Sequence, residues 1–106
     1  MKLNIGTKML YQAILALENE QECAKFMRDL LTEAEIKEFS NRWRVARMLN
    51  EKIQYEAISK ETGMSSTTIA RISKWLTNGM GGYKLILTRF KTTQTINHHH
   101  ASLVAV

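Results

Sequence analysis

Between Ile53 and Leu76 the chain reads IQYEAISKETGMSSTTIARISKWL. Two amphipathic helical patterns meet there at one glycine, Gly63, with almost no loop between them. Two short helices joined by a tight, glycine-containing turn make a helix-turn-helix. The apolar positions agree with that motif. Counting Tyr55 as the first position, Gly63 falls ninth, where the backbone must turn left-handed and glycine does so without steric cost. Ser59 falls fifth, where the two helices cross and only a small side chain fits. Ile58, Met64, Ile69 and Ile72 fall fourth, tenth, fifteenth and eighteenth, the positions that wedge the helices together.

The second helix of the pair opens with Ser65, Ser66, Thr67 and Thr68, where an ordinary surface helix would carry Glu and Lys. A helix that enters the major groove presents its N-terminal turn to the bases. Acids there would repel phosphate, whereas short hydroxyls donate to phosphates or meet either base edge. Ser65 is placed to cap the helix, leaving its first amides aimed outward. Arg71 and Lys74 extend the same face. The plainer account of the hydroxyl run is a capping cluster on a packed helix pair.

The charge balance favours the first account. Residues 1–61 hold ten Lys/Arg and ten Asp/Glu, which cancel. Residues 62–106 hold Arg71, Lys74, Lys84, Arg89 and Lys91 and no acid, so the whole excess of +5 lies beyond the motif's first helix. An acid-free basic half points to a polyanion, most simply nucleic acid.

The rest of the chain reads as helix. It has no proline, and no segment alternates as a strand would. Apolar spacing predicts a helix near Thr7–Leu17 and another carrying Cys23, Phe26, Met27, Leu30 and Leu31. Thr32-Glu33-Ala34-Glu35 is a capping box, opening a helix over Glu33–Asn50. Short helices are expected over Gln54–Glu61, Ser66–Thr77 and Tyr83–Phe90, the last after the break Asn78-Gly79-Met80-Gly81-Gly82. The expected class is all-α. One domain is expected over 1–90: dimerisation helices in 5–50, the helix-turn-helix in 54–77, a C-terminal helix in 82–90. Residues 91–106 are expected to form a flexible tail.

Several features carry little. No apolar run approaches the ~18 residues of a membrane helix. The start lacks a signal-peptide pattern, and the lone Cys23 fits a reducing compartment and a packed thiol. A cytoplasmic location is therefore expected. His98, His99 and His100 are consecutive, with no Cys or acid nearby, and do not make a preorganised metal site. Trp43 and Trp75 sit at helical apolar spacing and read as core or dimer contacts. No catalytic constellation and no GxxxxGK stand out, so neither an enzyme nor a cofactor is expected.

The segment LLTEAEIKEFSNRWRVARMLNEKIQYEAISKETGMSSTTIARISKWL, with the trailing NGMGGYKL, resembles the Trp repressor superfamily and is most similar to its TrpR-like YerC/YecD branch. The resemblance covers roughly residues 5–90. It implies an all-helical, intertwined homodimer that binds operator DNA as a repressor, with the N-terminal helices wrapped around the partner chain. It also implies, residue by residue, an effector pocket: Thr32 at the threonine of LLT, Arg42 on the central helix, and Thr68 and Arg71 on the recognition helix. The residue after that second arginine is glycine in Trp repressor and is Ile72 here. A branched side chain occupies the space that indole needs, so L-tryptophan is not expected to act as corepressor. Glu56 stands where Trp repressor is basic, so phosphate contacts from the first motif helix should be fewer. Arg42 and Arg44 either compensate by binding phosphate or, for Arg42, pair with Glu38. The expected DNA-binding residues are Ser65, Ser66, Thr67, Thr68, Ala70, Arg71 and Lys74, with Arg42 and Arg44. Two other roles fit the same residues: a protein-interaction module whose basic half docks on an acidic protein, and a sensor of a small molecule other than tryptophan.

Overall fold

The computed structural model describes residues 4–91. All regular structure among them is helical: α1 Ile5–Leu15, α2 Glu20–Leu30, α3 Glu33–Asn50, α4 Tyr55–Thr62, α5 Ser66–Asn78 and α6, residues 82–91. The tail and its three histidines lie outside the described residues, apart from Lys91, which closes α6.

The helix starts are set by side chains that accept otherwise unpaired N–H groups. Asn4 accepts from the Thr7 amide at 2.7 Å, and Asn19 accepts from the Glu22 amide at 2.9 Å. These caps explain why α1 and α2 begin at Ile5 and Glu20, ahead of their first periodic apolar residues. The Thr32 capping box forms in both directions. The Glu35 amide donates to the Thr32 hydroxyl at 3.1 Å, and the Thr32 amide donates to the Glu35 carboxylate at 2.9 Å. That bond, followed by one from the Thr32 hydroxyl, holds the Glu35 carboxyl below its ordinary pKa. Arg28 adds an exposed ion pair to Glu33 at 3.4 Å.

Two compact units divide the chain between Glu38 and Phe39, a boundary inside α3. In the first unit, no described residue is buried. Apolar Ile5, Met9 and Leu15 of α1 are 79%, 62% and 82% exposed.

The second unit is built around Val45, Ala46, Ile58, Ile69 and Ile72, all fully buried. They come from α3, α4 and α5. Each buried isoleucine contributes about 1.5–3 kcal/mol of burial energy. Met48, Leu49, Ile53, Met64 and Tyr83 pack around them half-buried. Aromatic contacts join α6 to α3: Trp43 stacks on Tyr83 with centroids 6.3 Å apart and meets Phe90 edge-on at 5.7 Å.

Candidate nucleic-acid interface

The helix-turn-helix is formed by α4, the Gly63–Ser65 turn and α5. Gly63 has φ +75°, left-handed as the sequence required, and its amide donates to the Ser59 carbonyl at 2.8 Å. An added Cβ there would meet no atom within 4 Å. Its glycine is therefore demanded by backbone conformation rather than by crowding.

Two hydroxyls tie the turn together through three hydrogen bonds. Ser59 donates to the Met64 carbonyl at 2.7 Å, and Thr62 donates to the Ile58 carbonyl at 2.7 Å. The Met64 amide in turn donates to the Thr62 hydroxyl at 3.2 Å. Ser59 is thus a hydrogen-bonding member of the turn as well as a small residue. Its motif position signalled the size, but not the bond.

Ser65 caps α5: its hydroxyl accepts from the Thr68 amide at 3.2 Å and donates to the Thr68 hydroxyl at 3.0 Å. Thr68 is half-buried and engaged in that cap, whereas Ser65, Ser66, Thr67, Ala70, Arg71 and Lys74 are exposed. Positions 66, 67, 70, 71 and 74 share one side of a 3.6-residue helix. Ile69 and Ile72 occupy the opposite, buried side. One face of α5 thereby anchors the helix while the other offers hydroxyls, a methyl and two cations, with no acid anywhere in the helix.

The two central-helix arginines are not on that face. The Arg44 guanidinium pairs with the Glu61 carboxylate of α4 at 3.2 Å, both side chains being about half exposed. Such an exposed pair is worth about 0–1 kcal/mol, so it holds Arg44 only weakly. Arg42 is half-buried, and its guanidinium carbon lies 5.9 Å from the Phe39 ring centroid and 5.9 Å from that of Trp75. Phe39 lies three residues before Arg42 on α3. The contact with Trp75, a residue thirty-three positions on, had no sequence signal.

The residues matched to an effector pocket are divided. Arg42, Thr68, Arg71 and Ile72 belong to the second unit, while Thr32 belongs to the first and is occupied in its capping box. Ile72 has no exposed surface. It is a core residue beside Ile69, Ile58, Val45 and Ala46.

A shallow apolar groove of about 590 Å³ lies in the second unit, lined chiefly by Trp43, Trp75, Met80, Tyr83 and Ile86. Trp75 is 41% exposed. It stands at the rim of the core rather than inside it. Gly79 ends α5 beside the groove. A Cβ there would lie 2.3 Å from the Trp75 carbonyl oxygen, so only glycine fits without moving backbone. Among the described residues, no group of His, Cys, Asp or Glu is placed to hold a metal ion.

Comparison with known proteins agrees with this architecture. The family model of the Trp repressor protein matches residues 6–91. This chain belongs to the Trp repressor protein family. It is 42% identical over 86 residues to YerC of Bacillus subtilis (strain 168), an uncharacterized protein, covering 81% of this chain and 83% of YerC. A crystal structure of a TrpR-like protein from Eubacterium eligens superposes with a TM-score of 0.80 at 36% identity, covering 83% of this chain and 91% of that one. A candidate Trp repressor from Staphylococcus aureus gives a TM-score of 0.80 at 38% identity, covering 84% and 89%. The all-α, Trp repressor-like class expected from the sequence is therefore the observed one. The family is one of helix-turn-helix regulators, not of enzymes. No helix among the described residues is long and apolar enough to cross a membrane.

Proposed function

We propose that this chain is a sequence-specific, double-stranded-DNA-binding transcriptional repressor that acts as a homodimer in the cytoplasm without L-tryptophan as corepressor. The observation that carries this reading is the two-sided α5: Ile69 and Ile72 fully buried, and Ser66, Thr67, Ala70, Arg71 and Lys74 exposed on the other side. Ser65, Ser66, Thr67 and Ala70 face bases. Thr68, Arg71 and Lys74 hold phosphate or a base edge, and Arg42 and Arg44 supply further positive charge beside them. Homodimerisation is supported by the large apolar residues of α1 left in solvent. Several large apolar residues exposed on one helix are what an association surface supplies. Independence from tryptophan is supported by Ile72, whose side chain fills the core where a glycine would leave room.

Selection of bound sequences from a random DNA pool, at ~150 mM salt without tryptophan, tests the reading. The expected product is a palindrome with half-site centres about 34 Å apart, one helical turn. Arg71→Ala should weaken binding to it and flatten the log–log salt slope by about 0.9 for one lost phosphate contact. No enrichment, with or without tryptophan, would reject the proposal in favour of a protein-interaction module. The apolar groove favours one further reading, a sensor of an apolar small molecule other than tryptophan. A thermal-shift screen addresses it, because a ligand bound only by the folded state raises the melting temperature.

A further inference from the structure

α5 is held by different kinds of contact along its length. Ile69 and Ile72 are sunk in the core. Trp75, one turn beyond Ile72 and ~4.5 Å further along the axis, is held differently. Its ring sits at the rim, 41% exposed, with the Arg42 guanidinium 5.9 Å from its centroid. The same guanidinium lies 5.9 Å from the ring of Phe39, which is itself 47% exposed. Arg42 and Phe39 belong to α3 and Trp75 to α5, so one cation between two aromatic rings links the recognition helix to the central helix.

Indole is the strongest aromatic partner for a guanidinium. The ring is 41% exposed, and the cation adds to what its partial burial supplies. Ile69 and Ile72 fix the depth of α5, and Leu76 beyond them is half-buried. Trp75 adds a contact to α3 at that end, and Gly79 stops the helix directly afterwards, its missing Cβ letting the chain turn against the Trp75 carbonyl.

We infer that Trp75 is a built-in aromatic effector: its indole, against Arg42 and Phe39, sets the orientation of α5 that a diffusible aromatic ligand would otherwise have to set. This rests on the DNA-reading role proposed above and extends it to regulation. The chain is locked in its reading state by its own side chain. Trp75 acts through α5 and is a positioning residue, with no contact to bases of its own.

The test removes the indole and gives it back. In the full-length chain, Trp75→Ala should bind the selected DNA about 3- to 30-fold more weakly, the range spanned by cation–π energies. Trp75→Phe, which keeps a ring, should retain most of the affinity. Millimolar free indole should restore binding by Trp75→Ala. It should not change the parent, whose ring is in place, or the double variant Arg42→Ala/Trp75→Ala, which lacks the cation. A structural role alone predicts lost affinity without rescue. Undiminished binding by Trp75→Ala, or a deficit that indole leaves untouched, overturns the inference.

Amide hydrogen exchange without DNA separates this from failure of the DNA reading. Exchange over Ile69–Leu76 should quicken in Trp75→Ala and slow again with indole, circular dichroism confirming a folded chain. Unchanged exchange overturns the clamp whatever the DNA result. Exchange that responds as expected, in a parent that selects no DNA sequence, supports the clamp and rejects the DNA-reading role instead.

Discussion

Residues 4–38 hold the side-chain-capped starts of α1, α2 and α3, and residues 39–91 hold α5, capped by Ser65, and α4, which has no side-chain cap, yet only the second group builds an interior. Its five fully buried side chains come from three helices that meet around Ile58, Ile69 and Ile72. The first group has none, and α1 leaves Ile5, Met9 and Leu15 in solvent. Capping and periodicity are therefore enough to make a helix, but not to give it a core. Short helices are marginal in water without tertiary packing. A chain that keeps such apolar α1 residues needs a second surface for them, and the homodimer proposed above provides one.

The contrast can be broken first at the core. Ile69→Ala should cost about 2–5 kcal/mol, the usual range for emptying a packed aliphatic site. Urea denaturation should show an early loss of the helix-turn-helix. A change under 1 kcal/mol would mean that this unit is not held by its buried isoleucines.

The exposed unit is probed by charge. If a second copy covers α1, Leu15→Glu places a carboxylate in an apolar contact. It should weaken self-association by roughly 2 kcal/mol, about 30-fold. Sedimentation equilibrium reads this directly. The parent's melting temperature should also rise with protein concentration. Concentration-independent melting of a monomeric parent would show that the first unit is stable by other means.

Gly63→Ala tests the turn itself. With open space around the new methyl, only the left-handed backbone opposes it, at about 1–2 kcal/mol. Gly63→Asn should cost less, since Asn visits that conformation more readily. Equal costs would point to a clash instead of backbone strain.

The smallest effect is expected from the first unit's capping box. The folded-state pKa of Glu35 is lowered, so its contribution is fully present above the ordinary carboxylate pKa of about 4.3 and fades as pH falls through the lower folded value. Glu35→Gln should melt below the parent at neutral pH, and the gap should close in acid. A gap that persists at pH 2 would assign it to something other than the carboxylate.

Some features needed no tertiary information. The left-handed turn at Gly63, the Ser65 cap and the Thr32–Glu35 box were legible because each depends on neighbours within one or two turns, and the wedge of Ile58, Ile69 and Ile72 because the helix-turn-helix motif fixes those positions. The start of α1 was displaced from its apolar stripe because Asn4 caps the helix before the hydrophobic period begins. On the candidate interface, the exposed face of α5 followed from its helical period once Ile69 and Ile72 were assigned to the core. What the sequence by itself determined is the helix inventory and the side of α5 that must be buried. Tertiary structure alone decided the partners of the two arginines, Arg44 with Glu61 and Arg42 with Trp75. Those contacts bring together residues far apart along the chain, and local periodicity carries no information about which remote side chain a flexible cation will meet.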